Sequence, residues 1–374
     1  MMATSEPPAV YVLGVGMHPA TLRETSLRLE EMVFATSTRA LAHAAISRRQ
    51  LDHVVLGASD ELDGRPISSM LMTGPAGGYL TDEIKVTDSG ATALCMGFAR
   101  IRSGEFDCGL VASWCKSSKT SPSAVMRYRA DPFYLRPLGF DASMADGLFA
   151  QAMAQQHGIA AAEAGERAHR AAIRAQANPR GLQAAPVDRE AIAASELEAT
   201  PIRAGHIAPV SDGAVSIVLG SVAFLRANPQ CTPIARITGV GWCSDSYQLG
   251  AERLSSLRAA RRAWRDALAM AGIAGANEFD AIELESPTSW HEAAWVRAFD
   301  IADEAALSPS GGTFAQNPFF CSGLINAAEA ILQVAGQAGP VQVEGARRAV
   351  AHGCHGFAQQ GSVVMVIEHA GDAP

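Results

Sequence analysis

Apolar residues along this chain follow two alternating rhythms. Short, nearly unbroken apolar runs at residues 9–17 ("AVYVLGVGM"), 51–58 ("LDHVVLGA"), 109–113 ("GLVAS") and 213–221 ("GAVSIVLGS") predict strands covered on both faces. The stretch 26–46 has apolar positions at helical spacing and predicts a long helix after the first strand. Glycines close the first run, which reads as a strand and turn. Strands that alternate with helices across glycine turns predict an α/β layered fold with largely buried sheets.

The rhythm restarts near Thr232. "PIARITGVGW" repeats the strand-and-glycine pattern of residues 9–17, a helical stretch covers 256–273, and "FDAIELES" (279–286) reads as the next strand. The same strand–helix–strand order occurring twice predicts a duplication, with an N-terminal half at 1–228 and a C-terminal half at 229–374. Between the two repeats of this pattern, inside the N-terminal half, 161–183 is an Ala/Arg-rich helical stretch that Pro179 and Gly181 should end. Its polarity predicts a lid-like helical insertion spanning about residues 120–205.

Composition narrows the class. The chain has 374 residues, 48% of them hydrophobic, enough for a sizeable core. A net charge of −8 with scattered arginines argues against a nucleic-acid surface, which needs banked cations. No stretch approaches the roughly 20 uninterrupted apolar residues of a membrane span. The start "MMATSEPPAV" has no basic segment leading into an apolar one, so no signal peptide is predicted. Seven cysteines, irregularly placed and without a CxxC pair, fit a reduced cytoplasmic protein with neither disulfides nor a structural metal.

Four stretches carry candidate chemistry. "GVGMHP" at Gly14 lacks the third glycine of a dinucleotide fingerprint and reads as a turn, with His18 a loop histidine. In "KVTDSGATALCMGF" (85–98) a strand runs through Thr87-Asp88-Ser89-Gly90 into a helix of small residues that Asp88 or Ser89 can cap. Exposed N–H groups at such a helix start favour a developing anion and lower a thiol's pKa. Cys95, two turns further along, reads as a core thiol. In 307–331, the glycine-rich Gly311-Gly312 loop precedes a second small-residue helix start, Cys321-Ser322-Gly323. Finally, 349–368 sets His352, Cys354 and His355 in a predicted turn, a Cys/His constellation for nucleophilic work or simply solvated loop histidines.

Taken in order, "YVLGVGMHP", "ISRRQLDHVVLGA", "IRSGEFDCGLVASWCKSS", "HIAPVSDGAVSIVL", "FDAIELESPTSWHEA", "SPSGGTFAQNP" and "VEGARRAVAHGCHG" resemble the thiolase superfamily, and most closely its sterol-carrier-protein-type, thiolase-like branch. The resemblance covers nearly the whole chain. It implies a thiolase fold: two similar βαβ halves in a five-layered αβαβα body with a helical lid. It also implies acyl-CoA substrates, with coenzyme A arriving as part of the substrate and no metal. Assembly is implied as a homodimer or larger, with a zinc-ribbon/OB-fold partner protein as a further possibility.

The departures from the family are specific. Counting back from "RSG" puts Thr87 where thiolases carry the nucleophilic cysteine, and a hydroxyl needs an adjacent base to attack at all. The His-Asp-Ala/Cys-Phe block reads Glu285-Ser286-Pro287-Thr288, and the basic histidine of Gly-His-Pro has become Asn317. His352, Gly353, Cys354 and His355 stand where the family places its last catalytic group. Three hypotheses follow. In the first, carbon–carbon chemistry proceeds without an acyl-enzyme: Glu285 is the base with its pKa raised by burial, Asn317 and backbone N–H groups polarise the thioester, and Cys354 or His355 is the acid. Thr87 would then line the pocket or orient the oxyanion. In the second, Cys354, Cys115 or Cys321 is a relocated nucleophile for acyl transfer. The third is a non-catalytic scaffold subunit. For the CoA, the candidate contacts are Gly311 and Gly312, with Arg167, Arg170 and Arg174 on the lid helix for its phosphates.

Overall fold

The computed structural model describes residues 8–371; the reading of the first seven residues as free of a leader lies outside them. The strands are β1 (Val10–Met17), β2 (His53–Gly57), β3 (Asp82–Val86), β4 (Cys108–Lys116), β5 (Leu197–Ala199), β6 (Ile202–Arg203), β7 (Asp212–Ser221), β8 (Ala235–Ser244), β9 (Ala281–Leu284), β10 (Arg348–His355) and β11 (Gly361–His369). The first seven helices are α1 (Leu29–His43), α2 (Asp60–Asp63), α3 (Ser69–Met72), α4 (Gly90–Arg102), α5 (Pro122–Arg129), α6 (Ala142–His157) and α7 (Ala161–Ala177). The rest are α8 (Arg189–Ala194), α9 (Val222–Ala227), α10 (Ala251–Ser256), α11 (Arg258–Ala271), α12 (Ser289–Ala298), α13 (Gly312–Ala315) and α14 (Ser322–Val334).

The large strands run in the order β3-β2-β4-β7-β1-β8-β11-β10-β9. Among the described residues, the two groups of strands meet where Val10, Tyr11 and Val12 of β1 pair with Ile237, Arg236 and Ala235 of β8. Helices α4 and α14 fill the space between them. Leu94, Phe98 and Ile101 of α4 and Leu324 and Ile331 of α14 share one core with Val12 and Ile217 on one side and Val363 and Met365 on the other. Alternate residues of the same strands face outward. Leu13 and Leu110 pack under Met32, Val33 and Ala40 of α1. Val364 and Val366 pack under Ala263 and Trp264 of α11 and Trp295 of α12. The result is helix, sheet, helix, sheet, helix: the five layers expected.

One expectation about the glycines needs correcting. Gly14 and Gly16 do not form a turn; they lie inside β1, and Gly239 and Gly241 lie inside β8. A Cβ on Gly16 would run into the backbone oxygen of Thr36 in α1, and one on Gly241 into that of Ala263 in α11. Bare backbone lets each outer helix sit directly on its sheet, by the same device in both halves.

The remaining differences are local. The predicted helix 256–273 is α11, which starts at Arg258 because Leu257, at φ +52, separates it from α10. The 161–183 stretch is helical only to Ala177, because the residue before Pro179 is pushed out of the helical region and Asn178 is extended. His352, Cys354 and His355 lie on strand β10 rather than in a turn: His352 pairs with Val364, Cys354 with Ser362 and His355 with Gly361. The segment 120–205 carries α5 to α8 and the β5–β6 hairpin as the helical lid.

Candidate active site

A cavity of about 200 Å³ opens beyond the ends of β9 and β10, roofed by α5 and α6 of the lid. Its apolar wall includes Met126, Ile202, Val210, Phe319, Phe320 and Phe357. Its polar groups include Glu285, Asn317, Ser322, Cys354, His355 and Asp146. The lining carries three carboxyls, from Asp146, Glu198 and Glu285, and neither a lysine nor an arginine.

Glu285 is the residue that β9 delivers to the cavity floor. Its backbone is fixed on both sides: its N–H donates to His352 O at 3.2 Å, and Trp295 Nε1 donates to its carbonyl at 3.0 Å. Ser322 Oγ, in the first turn of α14, donates to one carboxyl oxygen, and the Cys354 N–H donates to the other at 2.9 Å. Burial pushes the carboxyl up to about 7, and these two donors pull it only part of the way back. A carboxyl poised there exchanges protons readily near neutral pH. Space around it is tight, since a Cβ on Gly323 would lie 2.8 Å from the carboxyl oxygen.

The thiols are a different matter. Cys354 Sγ sits 3.6 Å from the Glu285 carbonyl, and burial plus the carboxylates of Glu285 and Asp146 hold its pKa well above the ordinary thiol value. Burial likewise pushes Cys95 and Cys321 up to about 12 and raises Cys115. Lys116, the cation next to Cys115 in sequence, donates to Leu27 O. Nucleophilic attack requires the thiolate, and none of these sites favours one.

Asn317 is held by the loop before β7: its N–H donates to Ser211 Oγ at 3.0 Å, and its amide Nδ2 to Ala208 O at 3.2 Å. One amide hydrogen is left for the cavity. His355 has a buried Nδ1 without a hydrogen-bond partner, and burial lowers its pKa while the charge of Asp88 works the other way.

Thr87 does not join this group. It lines a separate shallow pocket with Asp60, Glu61, Gly64, Arg65 and Pro66. The unusual residue of this strand-to-helix corner is its neighbour Asp88, at φ +76, whose carboxylate is gripped by Arg129. Arg129 also pairs with Glu61 at 2.8 Å and lies over the Phe320 ring. Of the two cap candidates Ser89 takes the part, accepting from the Thr92 N–H at 3.1 Å.

Gly311 and Gly312 are also outside the cavity lining. Both have positive φ, +85 and +52, and Gly311 lies flush against Ala175 of α7. Arg170 pairs with Glu304 at 3.2 Å and with Glu166 at 3.5 Å, away from the cavity. Arg167 and Arg174 reach Glu292, Arg174 at 3.0 Å. The lid arginines are therefore engaged in fastening α7 to the C-terminal half.

Sequence reasoning missed two groups. Ser322 was quoted as part of a small-residue helix start, and its proximity to Glu285 depends on α14 abutting the end of β9. Asp146 lies on lid helix α6 with no motif around it. Its carboxyl is pushed up to about 7, by burial first and the neighbouring Asp141 second.

Comparison with known proteins adds a context. Residues 292–368 match the family "Thiolase C-terminal domain-like". An acetyl-CoA acetyltransferase of Methanothermobacter thermautotrophicus (strain Delta H) is 28% identical over 198 residues, 48% of this chain and 51% of that protein. The match thus spans about half the length of either. Human mitochondrial 3-ketoacyl-CoA thiolase superposes with a TM-score of 0.80 at 17% identity, covering 98% of this chain and all of that one. The same human enzyme in complex with CoA gives 0.79 over 97% and 98% of the two chains, again at 17% identity. The Ltp2-ChsH2(DUF35) aldolase gives 0.80 at 15% identity, over 99% of this chain and all of that one.

Proposed function

We propose that this chain, a member of the thiolase superfamily, makes or breaks a carbon–carbon bond beside the carbonyl of an acyl-CoA thioester without acylating one of its own thiols. One observation carries the reading: the cavity holds a proton acceptor in Glu285, buried between Ser322 and the Cys354 N–H, while the nearby thiols are held in their neutral form. In the cleavage direction, Glu285 takes the hydroxyl proton of a β-hydroxyacyl thioester. The bond between the α and β carbons then breaks, the β carbon leaves as an aldehyde or ketone, and the electron pair stays on the thioester enolate. That enolate takes a proton to become the shortened acyl-CoA. The free Asn317 amide hydrogen supports the enolate oxygen. Addition is the same path reversed.

The test is incubation with β-hydroxyacyl-CoAs, followed by product analysis and mass spectrometry of the protein. Carbonyl product and shortened acyl-CoA should form with no mass added to the chain. Glu285→Gln should lower turnover by about 10²–10⁴-fold; unchanged turnover removes Glu285 from the role. A stable acyl adduct on Cys354 would instead establish the relocated-nucleophile reading.

A second reading, a scaffold subunit, is favoured by apolar surface on the lid. Tyr128, Phe133, Tyr134 and Leu138 are each more than 70% exposed, as partner-covered residues would be. Failure to bind any CoA ester by calorimetry would select it. We further propose a homodimer, in which the edge strand β3 and exposed Met70, Tyr79 and Leu80 beside it meet a second copy. Burial on the obligate scale of about 2,000 Å² would give a mass by light scattering that does not dissociate on dilution. Among the described residues no helix is long and apolar enough to cross a membrane. All seven cysteines are free, which supports a reducing, cytoplasmic setting.

A further inference from the structure

The reaction as written needs a second proton-transfer group, one that protonates the enolate carbon. The positions expected for it are poorly suited. The Cys354 thiol donates toward the Glu285 carbonyl and is flanked by two carboxyls, so it neither gives up nor regains a proton easily. His355 lies at the end of β10, its ring set against Gly361.

Across the cavity from the β9–β10 floor, lid helix α6 brings in Asp146. It is half-buried and lines the same cavity, and its charge acts on the same Cys354 thiol as that of Glu285. Glu285 is tied down by two donors. The polar neighbour of Asp146, by contrast, is His291 Nε2 at 3.6 Å, beyond hydrogen-bonding range. His291 is itself immobile: it stacks on Phe149 with ring centres 4.5 Å apart, and its Nδ1 is 2.9 Å from Thr288 Oγ1. Burial drives it down to about 3, so it faces Asp146 as a neutral ring and does not hold the carboxyl in its charged form.

We infer that Asp146 is the second catalytic acid–base residue of this cavity, giving its proton to the enolate α-carbon after Glu285 has taken the hydroxyl proton. The inference rests on the reading of Glu285 given above. The balance closes without any further reactant. Glu285 gains one proton, Asp146 loses one, the α–β bond breaks, a C–H bond forms, and the two carboxyls re-equilibrate through solvent once product leaves. A raised pKa of about 7 suits the part, because the group is still protonated near neutrality, whereas an ordinary aspartate would already be ionised.

Run backwards, the same step has Asp146 removing an α-proton from the acyl-CoA product, which can be observed without any carbon–carbon cleavage. The experiment follows deuterium entering the α-carbon of butyryl-CoA in D2O, by NMR, alongside cleavage of a β-hydroxyacyl-CoA. Wild-type protein should exchange. Asp146→Asn should lower exchange and cleavage together by about 100-fold or more, with the calorimetric affinity for butyryl-CoA and the thermal midpoint kept. Glu285→Gln should lower cleavage by more than it lowers exchange. Exchange by Asp146→Asn at the wild-type rate overturns the assignment while leaving Glu285 in place. Exchange that depends on Asp146, in a protein that cleaves nothing, upholds Asp146 and sinks the cleavage reading. Absence of both reactions in the wild type overturns both.

Discussion

The two helices at the centre of the molecule begin in similar ways and have diverged in what they do. Both α4 and α14 start on small residues with a glycine in the first turn, and both lie between the two sheets. At the start of α4, a charged residue holds the positive-φ position and is clamped by Arg129, and Thr87 faces a different, shallow pocket. At the start of α14, Ser322 donates directly to Glu285, a cavity carboxyl poised near neutrality. A helix start offers N–H groups and a favourable potential wherever it occurs. What makes one of them chemical is the side chain it presents and the cavity it faces. The α4 start carries a salt-bridge clamp, and the α14 start is where the proposed proton chemistry has its place.

That contrast can be broken at several points. The largest effect should come from Gly323→Ala, which drives a methyl toward the Glu285 carboxyl and Ala91. It should lower unfolding free energy by about 1–3 kcal/mol in urea titrations, with activity falling further than stability explains. Ser322→Ala should act more narrowly. Its hydroxyl lowers the pKa of Glu285, so removing it raises that pKa, and a base must be ionised to work. The acidic limb of kcat/KM should therefore shift upward by about one pH unit, a loss of about tenfold at pH 6 that narrows as pH rises past 8. An unmoved limb would separate Ser322 from Glu285. The smallest effect belongs to Thr87→Val, expected to keep turnover within about twofold. A loss of 100-fold there would return the chemistry to the α4 start and reverse the contrast.

The layered fold was legible because its signals are repetitive. Covered strands read as continuous apolar runs, and the in-strand glycines mark both halves. Those glycines nevertheless read as turns, since a strand glycine required by a helix pressing on it looks the same in one dimension as a glycine that bends the chain. Glu285, Asn317, Cys354 and His355 were legible because each lies in a motif-like block, and the cavity gathers all four. Thr87 was not, because a count along the chain cannot show which way a residue faces at a positive-φ corner. Asp146 had no signal: its surroundings are built by β9, β10 and α12, more than a hundred residues away. The lid arginines looked like a phosphate site because a helix face rich in arginine carries no record of Glu292 and Glu304 opposite it.

The cavity wall, with its three carboxyls and no cation, acts as an electrostatic sieve on what can be handled inside it. An acyl tail that ends in its own carboxylate would meet no cation there and would have to bury its charge unpaired beside Asp146 and Glu285. Neutral, apolar tails meet only Met126, Phe319, Phe320 and their neighbours. Under the proposed function, such a wall favours neutral tails, at a distance from the atoms that react.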